Sequence, residues 1–359
     1  MPTRSDVNAR AAILRAGFER HGAQVVEPPI LQPADTLLDL YGEDIRARAY
    51  VTSDALRGEQ MLRPDFTVPV VQMHMAHGAD PARYTYAGEV FRRQERDPNR
   101  ANEYVQVGFE VFERTDPAAS DAEVFALIAQ AMGDLPVKAV TGDIGMLMAV
   151  VEELNTTAIR KNALMRHIWR PRRFRALLDQ YAGRKPVSAA RQALLEGEVH
   201  CAAPLVGARR QHEIDARIAT LRADAAEPPI AAKDLDLIDA LLDIAAPLPD
   251  ALARLHDLSV DLPAILPAVA RVAARKEALK ARGVDVSTLM FDANYGRTSM
   301  EYYDGFVFGF RAVARADLPP LATGGRYDAL TRRLGGGREI PAVGGVMRPG
   351  IMLLLEEDQ

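Results

Sequence analysis

The chain of 359 residues has a single cysteine, Cys201, which excludes an intramolecular disulfide, and its Cys and His residues nowhere fall at zinc-ligand spacing. Neither a metal nor a cofactor is expected. Basic charge is not in excess: the formal net charge is −5 and the pI about 5.9, so no global field draws the chain to nucleic acid. Long apolar runs are missing too, and Met1 to Gly22 has no signal-peptide core. Together these absences predict a cytoplasmic protein with no membrane partner. What is present is 48% hydrophobic residues, enough for one large domain plus a smaller one.

The most informative stretch runs from Arg83 to Arg114. From Tyr104 to Phe112, Val105, Val107, Phe109 and Val111 share one face while Gln106, Gly108 and Glu110 share the other. That is a strand with a dry back and a polar front. The front reads either as a solvated face or, because Gly108 leaves no side chain to pack, as a floor over which something lies. Tyr84 to Gln94 is also strand-like, and the Asp97-Pro98-Asn99 turn signal predicts an antiparallel hairpin with Arg92 beside the Gln106 and Glu110 row.

Elsewhere, Ser5 is placed to cap a first helix carrying Val7, Ile13, Leu14 and Phe18, and Gly22 to end it. Ala23 to Leu31 reads as a strand running into Pro28-Pro29, and Ala49 to Thr52 as another. A helix is predicted over Thr67 to His77, ending at Gly78, with no function for His74 or His77. A further helix covers Asp121 to Met132, with an acid at its N-cap, followed by a strand at Val137 to Thr141. From Val151 to Arg282 the pattern is helical throughout, rich in Ala, Leu and Arg and punctuated by proline. Its basic run, Arg160 to Arg175, reads as a solvated helix face or as a surface for phosphate or an acidic protein. Strand character resumes at Leu289 to Ala293.

Phe91-Arg92, a polar loop with Arg100, and Gln106-x-Gly108-x-Glu110 resemble the second signature motif of class II aminoacyl-tRNA synthetases in the histidyl-tRNA synthetase version. Pro29 fits the first motif, which in that family forms a dimer interface. Leu62-Arg63-Pro64-Asp65-Phe66-Thr67 is similar to the family's Leu-Arg-Pro-Glu-Gly-Thr, and Tyr302-Tyr303 falls within its Tyr-Tyr tract. Gly324-Gly325-Arg326-Tyr327-Asp328 matches its glycine-rich tract, and Pro341 to Gly344 opens its third motif. The resemblance implies an α+β fold, a class II antiparallel sheet flanked by helices. Residues 1–150 and 283–359 would form the core, with 151–282 an inserted helical domain. It also implies a histidine site of Asp65, Thr67, Tyr86, Arg92, Gln106, Glu110 and Tyr303, with Gly324 and Gly325 letting backbone approach the ligand. In that site Asp65 would hold the amino group, by a charge-assisted hydrogen bond, and Glu110 would read the imidazole.

Amino acid activation must neutralise charge developing on a triphosphate, usually with arginines and magnesium. Against the same motifs, Thr298 and Ile351 stand where the synthetase has two arginines, and Gln94 where it has a glutamate. Arg297 and Arg348 are close in sequence, but a slip of one or three residues aims a side chain elsewhere. One preorganised donor is worth roughly 3 kcal/mol of transition-state stabilisation, so losing both arginines should abolish adenylation. The chain stops at Gln359, just past the third motif, and no anticodon-binding domain or tRNA partner is expected. An amino acid site without an ATP site resembles the regulatory subunits of ATP phosphoribosyltransferase, paralogues of histidyl-tRNA synthetase. That resemblance implies no catalytic residues, histidine as feedback effector, and a short-form catalytic partner in a hetero-octamer of four chains of each kind. A truncated enzyme that adenylates histidine remains the alternative, since Arg92 and Arg100 are kept.

Overall fold

The computed structural model describes residues 2–34, 47–94, 100–197, 206–207, 209–298 and 301–357. Cys201, the Asp97-Pro98-Asn99 turn, and Ser299 and Met300 lie outside them.

Helix α1 (Arg4–Arg20) starts one turn's edge earlier than expected. Thr3, not Ser5, is its N-cap, because Thr3 and Asp6 close a reciprocal capping box, and Gly22 at φ +84° takes the chain out. The predicted strand at Ala23 to Leu31 is split at its prolines into β1 (Gln24–Val25) and β2 (Leu31–Pro33). Strands β3 (Val51–Asp54) and β4 (Gly58–Leu62) join β2 in a small sheet ordered β2-β4-β3. Helix α2 (Thr67–His77) has the bounds that the sequence predicts.

The hairpin forms as β5 (Ala82–Phe91) and β6 (Glu103–Phe112), antiparallel, with Tyr86 opposite Gly108. Helix α3 (Pro117–Ala131) corrects the expectation at Asp121. Asp116 is the N-cap and Pro117 occupies the first helical position, so Asp121 lies inside the helix and is buried. Then come β7 (Val137–Asp143), α4 (Ile144–Glu153), α5 (Ala158–Arg166), α6 (Pro171–Tyr181), α7 (Ala189–Glu196), α8 (Gln211–Ala226) and α9 (Ala232–Leu242).

Helix throughout 151–282 is also corrected. Strand β8 (Ala245–Pro247) interrupts it before α10 (Leu248–Asp261) and α11 (Leu266–Ala281). β8 pairs with β9 (Met290–Asp292), and the chain ends with β10 (Phe306–Ala312), β11 (Ala322–Arg326), α12 (Asp328–Leu334), β12 (Ala342–Met347) and α13 (Pro349–Glu357).

The main sheet runs β1-β5-β6-β12-β11-β10-β7-β9-β8 among the described residues. It is antiparallel from β5 to β7, and the pairs β1/β5 and β7/β9 are parallel. Its back face is apolar, as the alternation in β6 requires. Phe18 of α1 stacks on Phe109 at 5.1 Å, and Phe125 of α3 packs among Phe306, Phe308 and Phe310. Helix α11 is tied to this layer by Arg275, whose Nε donates to Asp121 at 2.8 Å and Nη2 to Asp143 at 3.1 Å, with its guanidinium over Phe306. The second half of the helical stretch is thus packed onto the sheet layer. Burying such charges is tolerable only because each is paired. Among the described residues, no helix is long and apolar enough to cross a membrane.

Candidate functional site

The front of the sheet is a bed of glycines with side chains lying over them. A Cβ on Gly108 would overlap the ring of Tyr86, one on Gly344 the Glu110 carboxylate, one on Gly325 the ring of Tyr303, and one on Gly309 the hydroxyl of Tyr295. Gly108 is therefore the floor reading of the sequence, and what it supports is the ring of Tyr86 from the neighbouring strand. Gly325 makes room for Tyr303 and Gly324, facing the back, for Phe308. These two glycines are filled by the protein's own rings.

Glu110 is fully buried, and three hydroxyls donate to it: Tyr86 at 2.7 Å and Thr67 at 3.0 Å to Oε1, and Tyr327 at 2.6 Å to Oε2. Burial pushes its carboxyl up from 4.5 to about 7. The hydroxyls of Tyr327, Tyr86 and Thr67 oppose the rise, and the negative charge of Asp65 adds to it. Tyr86 is held by Phe66, which stacks on it at 4.3 Å and 9°. Phe66 occupies one of the two positions, with Asp65, where the sequence departs from Leu-Arg-Pro-Glu-Gly-Thr, and its ring is fully buried under the guanidinium of Arg63. Gln106 is fully buried, and neither atom of its amide has a hydrogen-bond partner among the described residues. A buried unsatisfied amide costs about 1–3 kcal/mol.

In front of this bed is an open cavity of about 580 Å³. Of the predicted site residues, Asp65, Thr67, Arg92 and Tyr303 line it directly. Tyr86, Gln106 and Glu110 are buried outside its lining, with Thr67 in contact with Tyr86 and Glu110. Asp65 accepts from the Tyr302 hydroxyl at 3.1 Å, and the Arg92 Nε donates to the Pro64 carbonyl at 2.6 Å. Sequence reasoning missed Tyr302, Tyr327, Arg48 and Arg311. A signal existed for Arg311, because the period of two along β10 puts it on the same face as Gly309.

The adenylation positions are altered in direction as well as in identity. Thr298 lines the cavity, but Arg297 turns away from it. The Arg297 Nε donates to the Ile168 carbonyl at 3.0 Å, Nη1 to Asn294 at 2.9 Å, and its guanidinium sits 4.8 Å over Phe174 of α6. Burial lowers its pKa to about 10. Ile351, in the first turn of α13, packs against the core. Arg348 does reach the cavity, held by the Pro320 carbonyl at 2.7 Å and the Thr323 hydroxyl at 3.3 Å.

The basic run is divided: Arg166, Arg172 and Arg173 are exposed, and three other arginines are paired within the chain. Arg160 is buried and ion-paired with Asp224 at 2.7 Å, Arg170 meets Glu301 at 3.1 Å, and Arg175 bonds Asp179 at 3.0 Å and also contacts Asp239. The solvated face describes Arg166, Arg172 and Arg173, whereas Arg160 and Arg170 are drawn into pairs within the chain.

The family model for histidyl-tRNA synthetase matches residues 3–349. A protein of Brucella anthropi named ATP phosphoribosyltransferase regulatory subunit is 32% identical over 355 residues, covering 92% of this chain and 93% of its own length. A Brucella canis protein of the same name is 33% identical over the same shares. Among solved structures, an ATP phosphoribosyltransferase regulatory subunit/histidyl-tRNA synthetase from Bacillus halodurans superposes with a TM-score of 0.69 at 20% identity, covering 98% of this chain and 79% of that one. The histidyl-tRNA synthetase of Nostoc sp. PCC 7120 gives 0.64 at 18%, covering 98% and 72%. The fold is thus that of the class II synthetases, and the chain belongs to the histidyl-tRNA synthetase family, within it to the ATP phosphoribosyltransferase regulatory subunits.

Proposed function

We propose that this chain is the non-catalytic regulatory subunit of an ATP phosphoribosyltransferase and acts in histidine biosynthesis. It joins a short-form catalytic subunit in a hetero-octamer of four chains of each kind, built on a dimer of this chain. Histidine is the effector, bound in the cavity by Asp65, Thr67, Arg92 and Tyr303 with Tyr86, Gln106 and Glu110 behind. The observation that carries this reading is the contrast within one site. Asp65, an acidic partner for an ammonium, lines the cavity together with Thr67, Arg92 and Tyr303, whereas the arginine nearest in sequence to the lost adenylation position, Arg297, is spent on the Ile168 carbonyl and Phe174. Coupling between histidine and the active assembly must be reciprocal: whatever histidine does to that state, the state does to histidine affinity.

The test is the phosphoribosyltransferase rate of a purified short-form catalytic subunit, with and without this chain, across a histidine titration. A raised uninhibited rate that becomes sensitive to histidine supports the reading. Stable mixing that changes neither overturns it. The adenylating alternative is checked by histidine-dependent exchange of pyrophosphate into ATP, where activity above background would show that Thr298 and Ile351 are compensated.

A further inference from the structure

Helix α6 begins at the cavity. Its first residue, Pro171, lines that volume together with Asn294, Thr298, Tyr302 and Tyr303 of a segment far along the chain. Two arginines join the segments, and they reach in opposite directions. Arg297 reaches from the later segment to the earlier one, where its Nε donates to the Ile168 carbonyl at 3.0 Å, 129 residues away in sequence. Arg170 reaches back, and its Nη2 donates to Glu301 at 3.1 Å, 131 residues away. The next residues along the chain from that pair, Pro171 and Tyr302, both line the cavity. Neither arginine does.

Arg297 is buried among neutral groups, the Ile168 carbonyl, Asn294 and the Phe174 ring, and its Nη2 has no hydrogen-bond partner among the described residues. An apolar side chain of similar volume would pack there at less cost in desolvation. What the guanidinium adds is direction, because its hydrogen bond holds the Ile168 carbonyl at one place. Glu301 leads to the ligand side. The hydroxyl of the next residue, Tyr302, donates to Asp65 at 3.1 Å, and its ring meets Tyr303 edge-on at 5.0 Å and Tyr327 at 6.1 Å. Holding Glu301 therefore holds the ring that orients Asp65, the acidic partner of the ammonium in the proposed histidine site.

We propose that Arg170 and Arg297 are positioning residues for the amino acid site: they fasten the start of α6 to the segment that carries Tyr302 and Tyr303, so that the orientation of Asp65 depends on the loop between α5 and α6. The dependence runs both ways, because a ligand that prefers the fastened wall must also fasten α6. The effect on affinity rests on the histidine reading of the cavity, whereas the fastening itself is measurable without a ligand.

The experiment compares the full chain with Arg170→Met, Glu301→Gln and the double variant; Arg170 is only half-buried, so its loss leaves the core intact. Calorimetric titration with L-histidine should show each single change weakening binding by roughly fivefold, inside the span of about two- to thirtyfold for residues that act on a site from outside it. The double variant should bind no more weakly than the weaker single one, since the two side chains act as one pair. Hydrogen exchange read by mass spectrometry over residues 174–181 of α6, none of which lines the cavity, should slow when histidine is added to the parent and not in Arg170→Met, a response that packing alone would not give. Unaltered affinity in both single variants, or losses that multiply in the double variant, overturns the proposal. If the parent binds no histidine, the amino acid reading fails and the fastening is read without ligand: faster exchange over 174–181 in Arg170→Met upholds it, and unchanged exchange overturns it.

Discussion

Changing Glu110 to Gln should remove a pH dependence that is built into the core. In the folded chain the Glu110 carboxyl is raised from 4.5 to about 7, chiefly by burial, while in the unfolded chain it titrates near the ordinary value. The folded state therefore holds this proton more tightly than the unfolded state does. The corresponding stability is fully present below about pH 4.5, declines as pH rises toward 7, and is gone above it. The full difference is about 3 kcal/mol, of which about 2.5 kcal/mol falls between pH 5 and 8.

Gln fits the same space. Its carbonyl can accept from Tyr86 and Thr67, and its amide can donate to the Tyr327 hydroxyl once that group rotates. The assay is urea unfolding of both proteins at intervals from pH 5 to 8, read as parent minus variant. Asp304, also raised to about 7 by burial and by Asp328, titrates in both proteins and cancels from the difference. The difference should fall by about 2.5 kcal/mol across the series, with the variant gaining on the parent at the alkaline end. Parallel curves would refute the argument, because they would mean that the three hydroxyls offset burial and leave the carboxylate ionised throughout.

Gly344→Ala would drive a methyl group into the Glu110 carboxylate; a loss of about 1–3 kcal/mol in urea unfolding is expected, together with loss of histidine binding by calorimetry. Asp121→Ala leaves Arg275 and Arg326 without their shared partner, although Asp143 and Asp328 remain; about 3 kcal/mol should be lost, measured the same way. Asp65→Ala should weaken histidine binding roughly tenfold or more, and the retained Tyr302 and Tyr303 walls should keep the fold intact by circular dichroism. Thr298→Arg alone should not restore pyrophosphate exchange, since Ile351 still stands at the second arginine position.

Local patterns carried much of this fold. The alternation in β6 was read with its faces correct, because a period of two and a buried back need no knowledge of neighbours. What Gly108 supports was not legible, because the cross-strand register that sets Tyr86 opposite it joins residues far apart in sequence. Asp121 misled for a related reason: an acid before an apolar run looks like a cap, and only the two arginines that reach it from α11 and β11 show that it is a core group. Three-residue β8 had too little pattern to stand out from the helices on either side. That Asp65, Thr67, Arg92 and Tyr303 would line one cavity while Tyr86, Gln106 and Glu110 are buried outside its lining was not legible in the sequence.

The altered adenylation site shows what a small slip does. Arg297 keeps a guanidinium one residue from the lost position, yet that residue leads it away from the cavity, and the Ile168 carbonyl, Asn294 and the ring of Phe174 hold it. Arg348 keeps another, three residues from Ile351, and here the period of two along β12 leads the other way, because Gly344 and Val346 face the front and Arg348 continues their row into the cavity. Counting arginines would score the two substitutions alike. Direction separates them: one charge has been withdrawn into the packing around Ile168 and Phe174 and the other added to the cavity wall. Chemistry at an α-phosphorus needs donors fixed where charge develops, and moving a donor by a residue forfeits that preorganisation.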